Sequence, residues 1–221
     1  MTEGKISRRN FLKGAVVASA AVAFAPLLSA CSAQGDGDEA QDTAQATSQQ
    51  TTNEASIAES GVLVAYFSAT GNTRSVAKTI THYTDADMFE ITPAELYSEE
   101  DLDYNDEESR VSQERANGVS TVELVETTPS GFSEYSTVFI GYPIWWGDAS
   151  WVVNNFVTNN NFEGKTVIPF CTSASSPMGS SGDNLAALAD SGEWLEGMRF
   201  DGINADESEI QSLISELGLQ E

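Results

Sequence analysis

Six consecutive apolar residues, Val62-Leu63-Val64-Ala65-Tyr66-Phe67, run directly into the polar cluster Ser68-Ala69-Thr70-Gly71-Asn72-Thr73. Continuous rather than alternating apolarity suits a strand buried on both faces, as in a parallel sheet covered by helices. Beyond the cluster, Val76, Ala77, Ile80 and Tyr83 recur at helical spacing, which predicts a helix starting near Asn72. At such a strand–loop–helix junction, backbone N–H groups and the positive end of the helix dipole converge on an anion. The hydroxyls of Ser68, Thr70 and Thr73 and the Asn72 amide add neutral donors, and Gly71 permits close backbone approach. The loop contains no lysine, which separates it from the loops that cradle a triphosphate with magnesium. Its donor set suits a single terminal phosphate. An ordinary helix cap also favours Ser, Thr and Asn, but four polar donors in six residues exceed what a cap needs.

The same alternation continues along the chain. Val138-Phe139-Ile140 reads as a second buried strand, and Trp151, Val152, Phe156 and Val157 as the next helix. Thr166 to Phe170 is a third strand, at the spacing of a βαβ unit. Pro169 lacks an N–H and is expected at a strand end or a bulge. Ile210, Leu213, Ile214 and Leu217 mark a terminal helix, with Asp206 and Glu209 shaped as a capping box and Gly218 as the stop. Met88 to Ile91 is a weaker strand. Residues 93–118 are acidic, with a polar helix near 107–117, and read as a solvated excursion or as a lid. Residues 119–125 have strand character without a clear place. Strand–helix alternation implies the α/β class, a parallel sheet covered on both sides.

Charge divides the chain into unlike parts. Over 221 residues there are 34 acidic and 10 basic side chains, a formal charge of −24. That balance disfavours nucleic acid and anionic lipid surfaces as partners. Lys5, Arg8, Arg9 and Lys13 precede an apolar stretch from Gly14 to Ala30, the layout of a secretory signal. Within it, Ser7-Arg8-Arg9-Asn10-Phe11-Leu12-Lys13 resembles the twin-arginine export signal. Leu28-Ser29-Ala30-Cys31 resembles a bacterial lipobox, which implies diacylglycerol on Cys31 and anchoring at the outer face of the cytoplasmic membrane. Residues 1–30 carry four basic side chains and one acidic, Glu3, so their removal leaves six and 33 and a formal charge of −27. Residues 31–60, the lipidated cysteine and a stretch rich in Gln, Thr, Ser and Ala, read as a flexible tether with a reach on the order of 30 Å. The folded domain is expected over residues 61–221.

The stretch from Tyr66 to Thr73 resembles the phosphate loop of flavodoxins. Two later stretches match the same family in the same order. Gly141-Tyr142-Pro143-Ile144-Trp145-Trp146-Gly147-Asp148 resembles the loop after the third strand, which flanks the flavin ring, and Pro169 through Ser181 resembles the loop after the fourth. The resemblance implies a flavodoxin-like three-layer sandwich around a five-stranded parallel sheet of order 2-1-3-4-5. It implies FMN as cofactor, at the switch point beyond strands 1 and 3. Carried over to this sequence, the cofactor-binding residues are Ser68, Thr70, Gly71, Asn72, Thr73, Pro143, Ile144, Trp145, Trp146, Gly147, Thr172 and Ser173. No residue is assigned a catalytic role, and no metal is expected. One of Trp145 and Trp146 is expected in the core.

The loop from Cys171 to Asp183 has no aromatic residue and only Met178 as a large apolar one, which departs from the two-sided aromatic sandwich common in flavodoxins. Cys171 reads as a small buried residue, His82 as a side chain favourably placed for the dipole at a helix end, and Asp183 as a helix cap. Three functions fit: an exported, membrane-anchored FMN electron-transfer protein serving a redox partner protein or a small-molecule acceptor; an FMN-dependent NAD(P)H or quinone-type oxidoreductase; and a binding module that has lost the cofactor, against which the intact phosphate loop argues.

Overall fold

The computed structural model of the chain describes residues 61–202 and 205–219. The export signal, Cys31 and the tether lie outside the described residues. The central strand β1 (Val62–Tyr66) is buried along its whole length and leads into helix α1 (Asn72–Thr84). Strand β2 (Asp87–Glu90) returns to pair with β1 in parallel. An irregular excursion follows, containing the short helix α2 (Arg110–Ala116). Then come β3 (Thr137–Trp145), the two-residue strand β4 (Asp148–Ala149), helix α3 (Val152–Asn159) and β5 (Thr166–Thr172). Helix α4 (Ser181–Ala189), short strands β6 (Glu193–Trp194) and β7 (Met198–Phe200) and helix α5 (Glu207–Leu217) complete the domain.

The parallel sheet has the order β2-β1-β3-β5, with β6 and β7 sharing the fifth position beyond β5. This is the expected 2-1-3-4-5 order with its last strand interrupted. Alternation along the strands separates two cores. Val64, Tyr66, Phe139, Ile168 and Phe170 pack against Val76, Ala77 and Ile80 of α1 and Ile210, Leu213 and Ile214 of α5. Leu63, Ala65, Val138, Ile140 and Tyr142 face Val152, Val153, Phe156 and Val157 of α3 and Leu185 of α4. The result is the expected three-layer sandwich. Helix α5 starts at Asp206, whose carboxylate accepts from the Ser208 N–H at 2.9 Å. It stops at Gly218, φ 68, where the Gly218 and Leu219 N–H groups close the last turn onto Ser215 and Ile214.

Three local expectations are corrected. Pro169 is in mid-strand, opposite Ile140 in the register of β3 and β5, at neither a strand end nor a bulge. The Val167 carbonyl points away from β3 and accepts from Leu195. Backbone direction alternates along a strand, so two residues on, the missing Pro169 N–H faces the gap between β6 and β7. There Gly197 passes so close that a Cβ on it would lie 2.5 Å from the Pro169 carbonyl oxygen. The break in the fifth strand is what accommodates the proline.

Second, β3 does not end at Ile140. Gly141 to Trp145 continue it, and Trp145 pairs with Asp148 across a two-residue hairpin. Trp146 and Gly147 form its tip with φ 48 and 85, the double positive φ of a type I′ turn. Cys171 and Thr172, read as loop beyond the strand that ends at Phe170, are likewise strand residues. Third, Asp183 lies inside the first turn of α4 rather than capping it.

Gly141 is held small by its cross-strand neighbour, since a Cβ there would stand 2.2 Å from Phe170 Cζ. Gly141→Ala is expected to cost roughly 1–3 kcal/mol of stability through overpacking. A urea midpoint unchanged from the parent would show that the Phe170 ring moves aside freely.

Candidate functional site

Parallel pairing brings the C-terminal ends of β1, β3 and β5 to one edge of the sheet, and the segments leaving them form the site. In the first loop, Ser68 Oγ accepts from the N–H groups of Gly71 and Arg74 at 3.1 and 3.2 Å. The serine oxygen therefore knits the turn, and its own O–H stays available to donate. Gly71 holds φ 92 at the start of α1, and nothing lies within 4 Å of where its Cβ would be. The N–H groups of Ala69, Thr70, Asn72 and Thr73 take no acceptor among the described residues, as the first turn of a helix requires unless an anion or water serves it. Asn72 Nδ2 reaches Thr70 Oγ1 at 3.3 Å on the exposed side.

Thr73 is placed differently from expectation. It is 1% exposed, and its hydroxyl shares a hydrogen bond of 2.8 Å with Thr172 Oγ1. The two predicted hydroxyls thus bind each other beneath the loop, one donating and the other accepting. They tie the first turn of α1 to the end of β5 and do not point outward. The spacing Thr73, Val76, Ala77, Ile80 carried this signal, because it places Thr73 on the buried helix face.

The β3–β4 hairpin sets the two tryptophans apart. Trp145 packs inward, with ring centroids 4.7 Å from Trp151, 5.5 Å from Tyr97 and 5.7 Å from Phe67. Trp146 at the tip is 42% exposed, stacks on Trp151 at 5.9 Å and lies under the Arg115 guanidinium, 4.7 Å from its centroid. A bulky residue with positive φ carries strain of about 1–3 kcal/mol, which the hairpin must hold. Pro143 and Ile144 lie partly buried in the strand leading to it. The Gly147 carbonyl comes within 3.8 Å of the position a Gly179 Cβ would take, so the hairpin and the third loop touch. Asn184 Nδ2 binds Asp148 Oδ2 across the same junction at 3.0 Å.

In the third loop, Ser173 Oγ accepts from the Ser175 and Ser176 N–H groups at 3.3 and 2.8 Å, and its carbonyl accepts from Arg199 Nη2. No ring is offered here. Met178 turns inward, packed against the core and close to Gly197. Cys171 is fully buried, and burial pushes its thiol up to about 12 against the opposing charge of Arg199. The exposed His82 sits in the last turn of α1, at the far end of that helix from the loop. Surface concavities lined by residues 163–166 with 190–193, and by residues 128–133 with 159–161, contain none of these loop residues.

Sequence reasoning missed the contribution of residues 93–118. This excursion docks onto the tryptophans through Glu114, whose side chain is only 13% exposed. Glu114 accepts from Tyr97 OH at 2.6 Å, Arg110 Nε at 2.7 Å and Trp151 Nε1 at 2.8 Å. Burial, then the neighbouring Glu114, raises the Tyr97 hydroxyl far above its ordinary range. The Arg110 guanidinium lies 4.1 Å over the Tyr97 ring. Residues 119–125, unplaced from sequence, run along α3, held by Asn154 to the Ser120 carbonyl and Asn155 to the Val122 carbonyl. No local pattern announces these long-range contacts.

A flavodoxin family model matches residues 61–216, and a model of the twin-arginine translocation pathway signal sequence matches residues 5–25. A proposed flavoprotein from Bacteroides eggerthii is 35% identical, with TM-score 0.64 over 71% of this chain and 97% of its own. One from Bacteroides uniformis is 38% identical, with TM-score 0.64 over 70% and 97%. A flavoprotein in complex with FMN from Lactobacillus acidophilus shares the fold at 21% identity and TM-score 0.51, over 68% of this chain and 96% of its own. No curated protein matches.

Glu114→Ala removes the acceptor of three donors on the excursion and α3. The expected cost is about 1–3 kcal/mol, confined to that contact. Amide exchange over residues 94–118 should then accelerate by roughly tenfold or more while β1 and β3 keep their protection. Equal protection in parent and variant would remove Glu114 as the anchor.

Proposed function

This chain belongs to the flavodoxin family, and we propose that it is an FMN-binding electron-transfer protein working outside the cytoplasmic membrane. The observation that carries this reading is the loop of residues 68–73, where four N–H groups without acceptors, the Ser68 and Thr70 hydroxyls and the Asn72 amide surround the open space above Gly71. That donor set is neutral, short and fed by a helix N-terminus, which fits one phosphate group. Beside the loop at the same sheet edge lie the exposed Trp146 and the third loop, and an aromatic surface of this kind suits a flat heterocycle. When bound, FMN supplies the redox chemistry. The protein's part is to hold the phosphate with Ser68, Thr70, Asn72 and the loop amides, to orient the ring against the hairpin, and to direct polar backbone at it near Gly147 and Thr172. The buried Thr73–Thr172 pair keeps the first and third loops in register.

The export signal supports the same reading. The twin-arginine route carries folded proteins, so a non-covalent cofactor can be taken up before export. Among the described residues no helix is long and apolar enough to cross a membrane, and lipid on Cys31 is the proposed anchor. The second reading, an FMN-dependent reductase of quinones or other small molecules, draws on the third loop. With Met178 turned inward, that loop adds no aromatic lid to the ring and leaves room for a flat acceptor.

Protein made with its native signal is expected to be yellow, with flavin absorption bands. A colourless protein that also fails to bind added FMN defeats both readings. Gly71→Val fills the open space and strains a residue at φ 92; it should weaken FMN binding about 100-fold, roughly 2.7 kcal/mol. Mixing the reduced protein with a basic cytochrome and, separately, with a quinone tells carrier from reductase. Turnover of the quinone under steady NAD(P)H favours the second reading.

Cys31→Ser should move the exported protein from the membrane fraction to the soluble one. Continued membrane association would remove the lipid anchor from the proposal.

A further inference from the structure

Arg199 lies on β7 opposite Cys171 of β5, and its side chain therefore shares the sheet face of Cys171 rather than that of Phe170 and Phe200. It extends beneath the third loop, where Nη2 donates to the Ser173 carbonyl. Its Nε is buried and has no hydrogen-bond partner among the described residues. The ion pairs of the described residues involve Arg74 and Arg110, not Arg199. A half-buried guanidinium with an unused donor and no counter-charge is a cost that ordinary packing does not explain. Nor is the chain free to relax away from it. Gly197, two residues earlier, is wedged between the Pro169 carbonyl and Met178, and this fixes the strand that carries Arg199.

Its position gives the charge a use. Ser173 is the first residue beyond β5 and opens one of the three segments around the site. By binding the Ser173 carbonyl, Arg199 offsets the negative end of that peptide and sets a positive charge directly behind the third loop. We propose that Arg199 is a positioning residue that makes the third loop favour the negatively charged, reduced form of the flavin over the neutral oxidised ring. The inference rests on FMN being the cofactor. Two electrons and one proton convert the neutral ring to a monoanion; a redox partner supplies the electrons in the cell, and dithionite supplies them in the test.

This sign opposes the net charge of the chain, −24, which by itself disfavours an anionic ring. The local cation wins on range. Surface carboxylates act through water and fade beyond a Debye length of about 8 Å at physiological salt. A charge inside the wall of the site acts through a medium of lower dielectric constant.

The test uses apoprotein, FMN and dithionite. Dissociation constants for oxidised FMN and the two-electron midpoint potential of bound FMN are measured for the parent, Arg199→Gln and Arg199→Lys. The Gln variant should bind oxidised FMN within about threefold of the parent but hold the reduced form about tenfold less tightly, which lowers the potential by about 30 mV. The Lys variant, which keeps the charge, should hold the parent potential. A folded Gln variant with an unchanged potential overturns the proposal. So does a folded Lys variant that loses the tenfold preference, and the test therefore survives if the Gln variant fails to fold. A parent protein that binds no FMN would defeat the cofactor assignment itself, which is a different result from bound FMN whose potential ignores Arg199.

Discussion

The burial of β1 on both faces and both edges is the constraint on which the rest of the structure depends. With β2 and β3 paired to its two sides in parallel, the chain leaving β1 cannot turn back beside it, and the chain leaving β3 turns back only through the two-residue strand β4. One passes to the α1 face and the other to the α3 face. The two departures open a crevice between them at the carboxyl edge, the place where open parallel sheets bind ligands. The polar loop then has only one way to satisfy its donors. Ser68 Oγ takes two N–H groups inward, and the rest face the crevice. The fold and the proposed anion site are consequences of the same pairing.

The hairpin and the excursion solve a second problem, which is how to keep large aromatic surface at a site mouth without losing its geometry. Trp145 is fixed by three edge contacts, while Trp146 is held at a backbone conformation it does not favour. Glu114 supplies the restraint from outside. A half-buried carboxylate fed by a phenol, an indole and a guanidinium cannot move without stranding polar groups on two other elements. The bland reading of residues 93–118 as solvated chain therefore fails at Glu114, although Tyr104, 72% exposed, and much of the acidic rim answer to it.

The legible parts of the sequence were those whose signal is local. The run Val62–Phe67, the donor cluster after it and the spacing Val76, Ala77, Ile80 fixed strand, loop and helix, and with them the layer order. The three loops proposed for the site share one local mark, that each follows a strand end. What escaped was whatever depends on a partner distant in sequence. Pro169 was misplaced because the gap that accepts it lies near Gly197, in a strand with too few residues to show a pattern. The length of β3 was hidden because Gly141, Pro143 and Trp145 read as loop chemistry; pairing of residues 141–143 with β5, and of Ile144 and Trp145 with β4, makes a strand of them. Thr73 was assigned outward on the loop motif when the helical period already placed it inward.

The charge balance is clearer once each cation has a location. Outside the export signal the six basic residues are Arg74, Lys78, Arg110, Arg115, Lys165 and Arg199. Lys165 is spent structurally: it is buried, donates to the Ser133 and Tyr135 carbonyls, and desolvation lowers its ammonium below the usual range. Lys78 lies exposed on α1. The other four all belong to segments that meet the carboxyl edge of the sheet. Arg74 and Arg110 are neutralised by Glu90 and Glu114. Arg115 and Arg199 have no such partner among the described residues, and one covers the exposed tryptophan while the other braces the third loop. In a chain this acidic, random placement would surround every arginine with carboxylates. Two left unpaired, one over Trp146 and one beneath the third loop, make those two segments less negative than the surface around them. An acidic exterior can then steer a basic partner without imposing its own sign on an anion held inside.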